Sequence, residues 1–250
     1  GNIIPIDPVA GSYYTNEGFG ELNIPLVSPS MNVPLIYSME LQGAARYVKN
    51  SMTGGFWSYT GGGKYSPVNG LTLRGNYTRS FRAPAITELF APTGQVFSLA
   101  NDPCDQRYIT GGPDPSRRAA NCAAAGIPAG FTSNVVNYTA KGLSGGNPAL
   151  QNEIGNSWTA GGVFQPTFIP GLRLSADYVH IDIKNEIASL SLTDVMDACY
   201  DSTNYPNSPY CSTFVRNAAG QVTSFATSSY NIGIERFKGI QSSLSYRLPL

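Results

Sequence analysis

Charge is the scarcest property of this 250-residue sequence: Lys, Arg, Asp and Glu together make up 13% of it, about half the share of an ordinary soluble domain. The 16 basic and 16 acidic residues cancel. That removes the electrostatic footprint of a nucleic-acid binder or of a polybasic membrane patch. No run of about 18 apolar residues occurs, so no transmembrane helix is predicted; barrel strands, with weaker signals of roughly 10 residues each, stay open. Histidine occurs once, at His180, and the four cysteines form no CxxC element, which argues against zinc. His180 is flanked by Tyr178 and Asp182 in an alternating segment, and no Gly-x-Ser-x-Gly elbow is present, so no Ser–His–Asp site is expected. Asp177, Asp182, Glu186 and Glu153 offer carboxylates for glycoside hydrolysis, but nothing in their spacing selects two. No catalytic residue, metal site or cofactor is expected, and the chain is not read as an enzyme. No secretory signal peptide is visible at the start; either it was removed or the chain begins inside a longer protein. No repeat of fixed period and no interdomain linker is evident.

What the chain has instead is Gly (27), Pro (18) and Tyr (15), a composition suited to many strands joined by turns. Alternation of period two recurs. In Phe19–Leu26, Leu22, Ile24 and Leu26 oppose Glu21, Asn23 and Pro25. In Tyr37–Tyr47, an apolar set including Met39, Leu41 and Tyr47 opposes Glu40, Gln42 and Arg46. Trp57, Tyr59 and Tyr65 share one face of Trp57–Ser66. Leu71, Leu73, Gly75 and Tyr77 oppose Thr72, Arg74, Asn76 and Thr78, after which Phe81-Arg82-Ala83-Pro84 predicts a helical turn, with Pro84 at a first helical position. Strand character returns at Ile154–Gln165 and Leu172–Ile183; in the latter the apolar parity switches near Tyr178–Val179, which predicts a β-bulge or the strand leaving a membrane. Thr213–Arg216 and Val222–Ala226 predict a small hairpin, and Ile240–Leu248 is the last strand. Small and aromatic residues on the apolar face, with Tyr or Trp near strand ends, suit an outward belt at a lipid boundary.

Several of these segments carry more than a pattern. Tyr77-Thr78-Arg79-Ser80-Phe81-Arg82-Ala83-Pro84 followed by Glu88-Leu89-Phe90 resembles a recurring signature in the barrel of TonB-dependent outer-membrane receptors. Glu21-Leu22-Asn23-Ile24-Pro25-Leu26, Arg46-Tyr47, Gly146-Asn147-Pro148-x-Leu150 with Glu153 and Ser157-Trp158-Thr159, and Asp177-Tyr178…Ile181-x-Ile183 are similar to further stretches of that barrel. Cys199-Tyr200-Asp201…Cys211-x-x-Phe214-x-Arg216…Gly220 fits a subset with cysteine-bearing loops. Gln151 and Thr78 depart from the family's usual residues. The resemblance implies an outer-membrane transporter that binds a scarce solute outside a Gram-negative cell and imports it with energy from the TonB complex. It also implies an N-terminal plug, through which TonB acts, and a barrel of about 22 strands. Neither the plug nor the closing strands are visible here.

The expectation is therefore an all-β chain in which residues 1–250 form a partial barrel domain, an open, curled antiparallel up-and-down sheet of about eight or nine strands. Long loops are expected at 83–152 and 186–230, the two stretches where alternation stops, as functional loops or disorder. Each holds one close pair of cysteines, Cys104 with Cys122 and Cys199 with Cys211; both pairs are expected as disulfides, which implies an oxidising compartment. Strand parity places the short connections on one rim and both long loops, with their cysteines, on the other, external rim. Arg46, Arg74, Arg79 and Arg82 in the wall and Arg117 and Arg118 in the loop are candidates to contact an anionic solute, against the plainer reading that they pair within the barrel. The expected partners are the TonB complex, a small-molecule solute and outer-membrane lipid, with no nucleic acid. The rival reading is a secreted β-sandwich or adhesin-like binding module, in which the same apolar faces would meet in a closed core.

Overall fold

A computed structural model describes residues 8–248. Ten strands and three α-helices follow in chain order: β1 (Thr15–Val27), β2 (Ser38–Asn50), β3 (Gly54–Val68), β4 (Leu71–Arg82), α1 (Ile86–Phe90), β5 (Gly94–Ser98), α2 (Pro115–Ala124), β6 (Ala140–Gly145), β7 (Glu153–Phe164), β8 (Leu172–Ser189), α3 (Leu192–Tyr200), β9 (Phe214–Arg216) and β10 (Val222–Tyr246). They divide into two compact units. One comprises Ser12–Pro84, Gln151–Ile187 and the stretch from Asn231 onward; the other comprises Ala85–Leu150, Ala188–Tyr230 and the stretch ending at Gly11.

The first unit is the sheet β1-β2-β3-β4-β7-β8-β10, and the pairings from β1 through β8 are antiparallel in unbroken sequence. Because directly opposed residues share a face, the registers sort every side chain. Leu22, Ile24, Leu41, Tyr47, Trp57, Tyr59, Tyr65, Leu73, Tyr77, Trp158 and Phe164 fall together on one face. Glu40, Arg46, Lys64, Thr60, Arg74, Asn76, Arg82, Glu153 and Asp177 fall on the other. The apolar face is not covered: Leu22 is 63% exposed, Trp57 59% and Leu244 71%. That overturns the β-sandwich alternative, whose apolar faces would be buried against each other.

Connections in this unit alternate between two rims. Asn50 opposes Gly54, so the turn Ser51-Met52-Thr53 lies at the end where β4 finishes; its Asn50 Oδ1 accepts from the Met52 and Thr53 amides at 2.8 and 3.2 Å. The other rim carries Val27–Ser38, the tight Asn69-Gly70 turn and the Gln165–Gly171 connection. Gly70 and Gly171 have φ of +89° each, and a Cβ on either would collide with a carbonyl oxygen, of Gln165 and Arg247 respectively, so only glycine fits these turns. Arg82, Glu153 and Lys184 lie at the first rim by register. There Asn231 fastens two chain segments, accepting from the Gln151 amide at 2.7 Å and donating to the Gln151 and Asn185 carbonyls at 2.8 Å each. From that rim the chain leaves β4 and β8 into the two long insertions, as strand parity predicts.

The second unit holds the hydrophobic core. Leu192, Val195, Met196, Cys199 and Tyr200 of α3 pack with Cys104, Cys122, Ile127, Phe131, Val135, Phe214 and Phe225. Apolar positions 192, 195, 196, 199 and 200 repeat at the i, i+3, i+4 spacing that puts them on one helical face. Ser191 starts the helix with a capping box: its Oγ accepts from the Asp194 amide at 3.2 Å while Asp194 accepts from the Ser191 amide at 2.8 Å. Asp114 caps α2 through the Arg117 amide, with Pro115 at the first position. β6 joins β5 antiparallel and β10 parallel, and β9 pairs with β10 across the Asn217–Gln221 turn. Among the described residues the strand order ends at β1 and β5, which do not pair, so the sheet is open as expected.

Five local expectations need correction. The described residues form ten strands rather than eight or nine. The stretches 83–152 and 186–230 are folded around a buried core, not irregular, because two disulfides and α3 give them local order that alternation does not report. β4 stays extended through Arg82, held by β7, and the helix starts at Ile86; the residue before a proline disfavours helix, and Glu88 accepts from the Ala85 amide at 2.7 Å to cap the later start. The parity switch at Tyr178–Val179 involves no bulge against β7, whose register runs unbroken from Ile154↔Lys184 to Phe164↔Leu174. The last strand begins at Val222, eighteen positions before Ile240, because charged residues between Glu235 and Lys238 hide its alternation.

Candidate functional site

The polar face of the sheet is a ladder of cross-strand ion pairs. Arg82 and Glu153 are directly opposed and make two bonds of 2.6 Å. Lys64 faces Glu40 at 3.5 Å. Arg46 reaches Glu17 at 3.1 Å with its guanidinium 5.4 Å from the Phe19 ring centre. Arg74 reaches two strands away to Asp177, at 2.8 and 2.5 Å, and it can do so only because Gly161 lies between them: a Cβ there would strike the Ala176 carbonyl and the Asp177 side chain. Thr60, Asn76 and Thr78 form a hydroxyl–amide knot with contacts of 2.8 to 3.1 Å. Each pair is part-exposed, so each contributes modestly; bidentate geometry at Arg74 and Arg82 makes those two the strongest.

In the second unit, buried guanidinium groups join the elements. Arg118 of α2 is 5% exposed and donates to Asp201, to Asp197 of α3 at 2.8 Å and to the Tyr108 carbonyl at 3.1 Å. Arg216 uses all of its N–H groups: on both Asp102 oxygens at 2.7 Å, on Tyr200 Oη at 2.9 Å, on the Gly220 carbonyl at 2.7 Å and toward the Met196 sulfur at 3.8 Å. Asp105 is fully buried beside Arg107 and accepts from the Ser133 and Arg107 amides, which together with that guanidinium hold its carboxyl well below the usual range. Burial pushes the Asp197 carboxyl up despite Arg118, and burial likewise raises the Tyr200 phenol. An open cleft of about 600 Å³ lies beside this network, lined by Tyr200, Tyr205, Asn207, Phe214, Arg216 and the Cys199–Cys211 bond. Both disulfides form, with Cα separations of 5.6 Å for Cys104–Cys122 and 4.9 Å for Cys199–Cys211, and both belong to this unit.

A strand order without closure, an exposed apolar face and an ion-paired polar face describe a piece of a membrane barrel wall. The family model for the TonB dependent receptor-like β-barrel matches residues 1–250. The chain belongs to that family. Among solved structures it is similar to the ferric enterobactin receptor PfeA of Pseudomonas aeruginosa (15% identity, TM-score 0.58, covering 95% of this chain and 25% of that one). The siderophore receptor PirA of Acinetobacter baumannii matches at 15% identity and TM-score 0.52, over 92% of this chain and 25% of its own. PirA of Pseudomonas aeruginosa matches at 16% identity and TM-score 0.54, over 93% and 31%. At this identity the likeness is one of fold. The chain spans about a quarter of the length of these receptors. No curated protein matches.

Within this TonB-dependent receptor barrel segment, the arginines singled out in the sequence divide three ways. Arg46, Arg74 and Arg82 lie on the polar face, each already paired with a carboxylate. Arg79 lies on the aromatic face, opposite Tyr59 and Asn156, since its parity is that of Tyr77. Arg117 and Arg118 fasten α2, Arg117 through Asp114 at 2.9 Å. Sequence reasoning did not single out Arg216 or its partner Asp102; the Phe214-x-Arg216 spacing after Cys211 was visible, but a partner 114 positions upstream was not. His180 Nε2 lies 2.8 Å from Asp182, on the apolar face rather than in a reactive cluster. Among the described residues no group of three or more His, Cys, Asp or Glu is placed to hold a metal ion.

Proposed function

We propose that this chain is part of an outer-membrane active transporter that binds a scarce extracellular solute and passes it to the periplasm with energy delivered by TonB through a plug domain. The observation that carries the membrane part of this reading is the exposed, uncharged face of the sheet. From Met39 to Tyr47 it runs roughly 26 Å along β2, which at a tilt of about 40° spans roughly 20 Å, close to the apolar band of about 25 Å on outer-membrane barrels. Aromatic residues stand toward both ends of it, Tyr47–Trp57 with ring centres 5.1 Å apart toward the rim where β4 ends and Tyr65 and Phe164 toward the other, as interface anchors do. The polar, ion-paired face then borders the lumen, and the disulfide-stapled unit is built from the external loops.

The named receptors supply the solute class, an iron-chelating siderophore, as the first to test. Arg46, Arg74 and Arg82 are available to an anionic solute only in exchange for Glu17, Asp177 and Glu153, so the cleft at Tyr200, Tyr205 and Phe214 is the better first contact. The experiment is growth of a strain deleted for the complete gene on a panel of ferric siderophores, vitamins and oligosaccharides. Loss of growth on one solute, restored by the gene, is expected; undiminished uptake of every solute would contradict the reading.

A further inference from the structure

The outward face of the sheet is uncharged over most of its height and charged at one end alone. Lys49, Arg79, Asp182 and Lys184 occupy it by register in the half toward the rim where β4 ends, Arg79 and Asp182 level with Tyr59, Lys184 level with Trp57 and Lys49 nearest the rim. Two contacts extend the row to β10: Asp182 binds Arg236 at 3.3 Å, and Ser175 binds Ser243 at 2.8 Å. Both give the same offset, which sets Lys238 opposite His180 on this face. Five cations (Lys49, Arg79, Lys184, Arg236 and Lys238) thus stand against one carboxylate. Among the described residues Lys49, Arg79, Lys184 and Lys238 have no carboxylate within 4 Å. At the opposite end of the same face the strands finish with Leu71, Phe164, Leu174, Leu244 and Tyr246 and carry no charge. Cations that merely solvate a barrel rim would suit both ends equally; here they mark one.

We propose that this strip binds the phosphate-bearing headgroup of a membrane lipid whose chains lie on the apolar face below. The inference rests on the membrane reading above. Arg79, Asn156, Asp182 and Arg236 form one row across four strands, roughly 14 Å from end to end at the usual strand spacing. Asp182 receives His180 on one oxygen and the Arg236 Nε on the other, which holds Arg236 while leaving its terminal nitrogens to donate to a phosphate. Tyr77 and Trp158 lie two residues, and Tyr178 four, further along their strands, at the depth of a glycerol or sugar backbone. Basic residues beside an anionic lipid surface each strengthen binding by roughly fivefold.

The test uses the full chain in zwitterionic detergent micelles, with dipalmitoyl phosphatidate or the matching phosphatidylcholine added and retained lipid counted by native mass spectrometry. Retention of phosphatidate at least about tenfold above phosphatidylcholine is expected. Arg79→Gln, Arg236→Gln and Lys238→Gln together should abolish the preference, while Arg173→Gln with Arg247→Gln, on the other face, should leave it intact. Equal retention of the two lipids, or an unchanged preference in the triple variant with its migration still heat-modifiable, overturns the proposal. So does full displacement of phosphatidate by inorganic phosphate, which would make this a free-anion site. A chain that takes up neither lipid nor detergent would instead contradict the membrane reading.

Discussion

Gly161 shows how a single missing side chain shapes the wall. Arg74 and Asp177 sit two strands apart and meet because nothing projects between them. Gly161→Val is expected to break that pair and lower stability by about 1–3 kcal/mol, read as an earlier loss of heat-modifiable migration; an unchanged transition would mean the pair contributes nothing. In the second unit the two carboxylates on Arg118 differ. Asp197 has its folded pKa raised by burial, so it opposes folding when ionised and that cost disappears as pH falls. Asp201→Asn should therefore destabilise the α2–α3 contact more than Asp197→Asn, as measured by amide exchange in those helices. Asp105 behaves in the opposite sense. Its depressed folded pKa contributes stability that is fully present above the ordinary carboxylate value of about 4 and is lost as pH falls toward the depressed one. Exchange at the Ser133 and Arg107 amides should rise below about pH 4, and Asp105→Asn should remove that dependence.

At the scale of elements, legibility followed contrast between faces. β1 to β4, β7 and the first half of β8 were readable because one face meets apolar surroundings and the other is polar. Where the strand passes beyond that zone the contrast inverts without any slip in register, so Val179, Ile181 and Ile183 looked like a bulge. The same inversion hid half of β10, whose Arg236 and Lys238 sit where apolar residues were sought. The stapled unit was illegible for another reason: its strands β5, β6 and β9 are only five, six and three residues long, too short for a period to show. Its cysteine pairing was legible because each pair is close in sequence, 18 and 12 residues apart. Cys199→Ser with Cys211→Ser is expected to cost about 2–4 kcal/mol and to expose α3, whose buried face the bond secures. Proteolysis within 190–212 should accelerate while the barrel strands stay resistant; equal resistance would show the bond to be dispensable.

For the molecule as a whole, the two units solve the hydrophobic problem differently. One buries its apolar residues in a conventional core; the other turns them outward. An outward apolar face of this extent is stable only where water is replaced by lipid. The most direct test is spin labelling of the full chain in phospholipid vesicles, one position at a time from Leu71→Cys to Arg82→Cys along β4. The four native cysteines are all disulfide-bonded, so each label is unique. Collision with dissolved oxygen should be high at positions 71, 73, 75 and 77, and collision with a water-soluble nickel complex high at 72, 74, 76 and 78. The two should lose that alternation near Arg79, where the outward face becomes charged. Uniform protection of positions 71, 73, 75 and 77 from both reagents would place that face in a closed protein core and contradict the account.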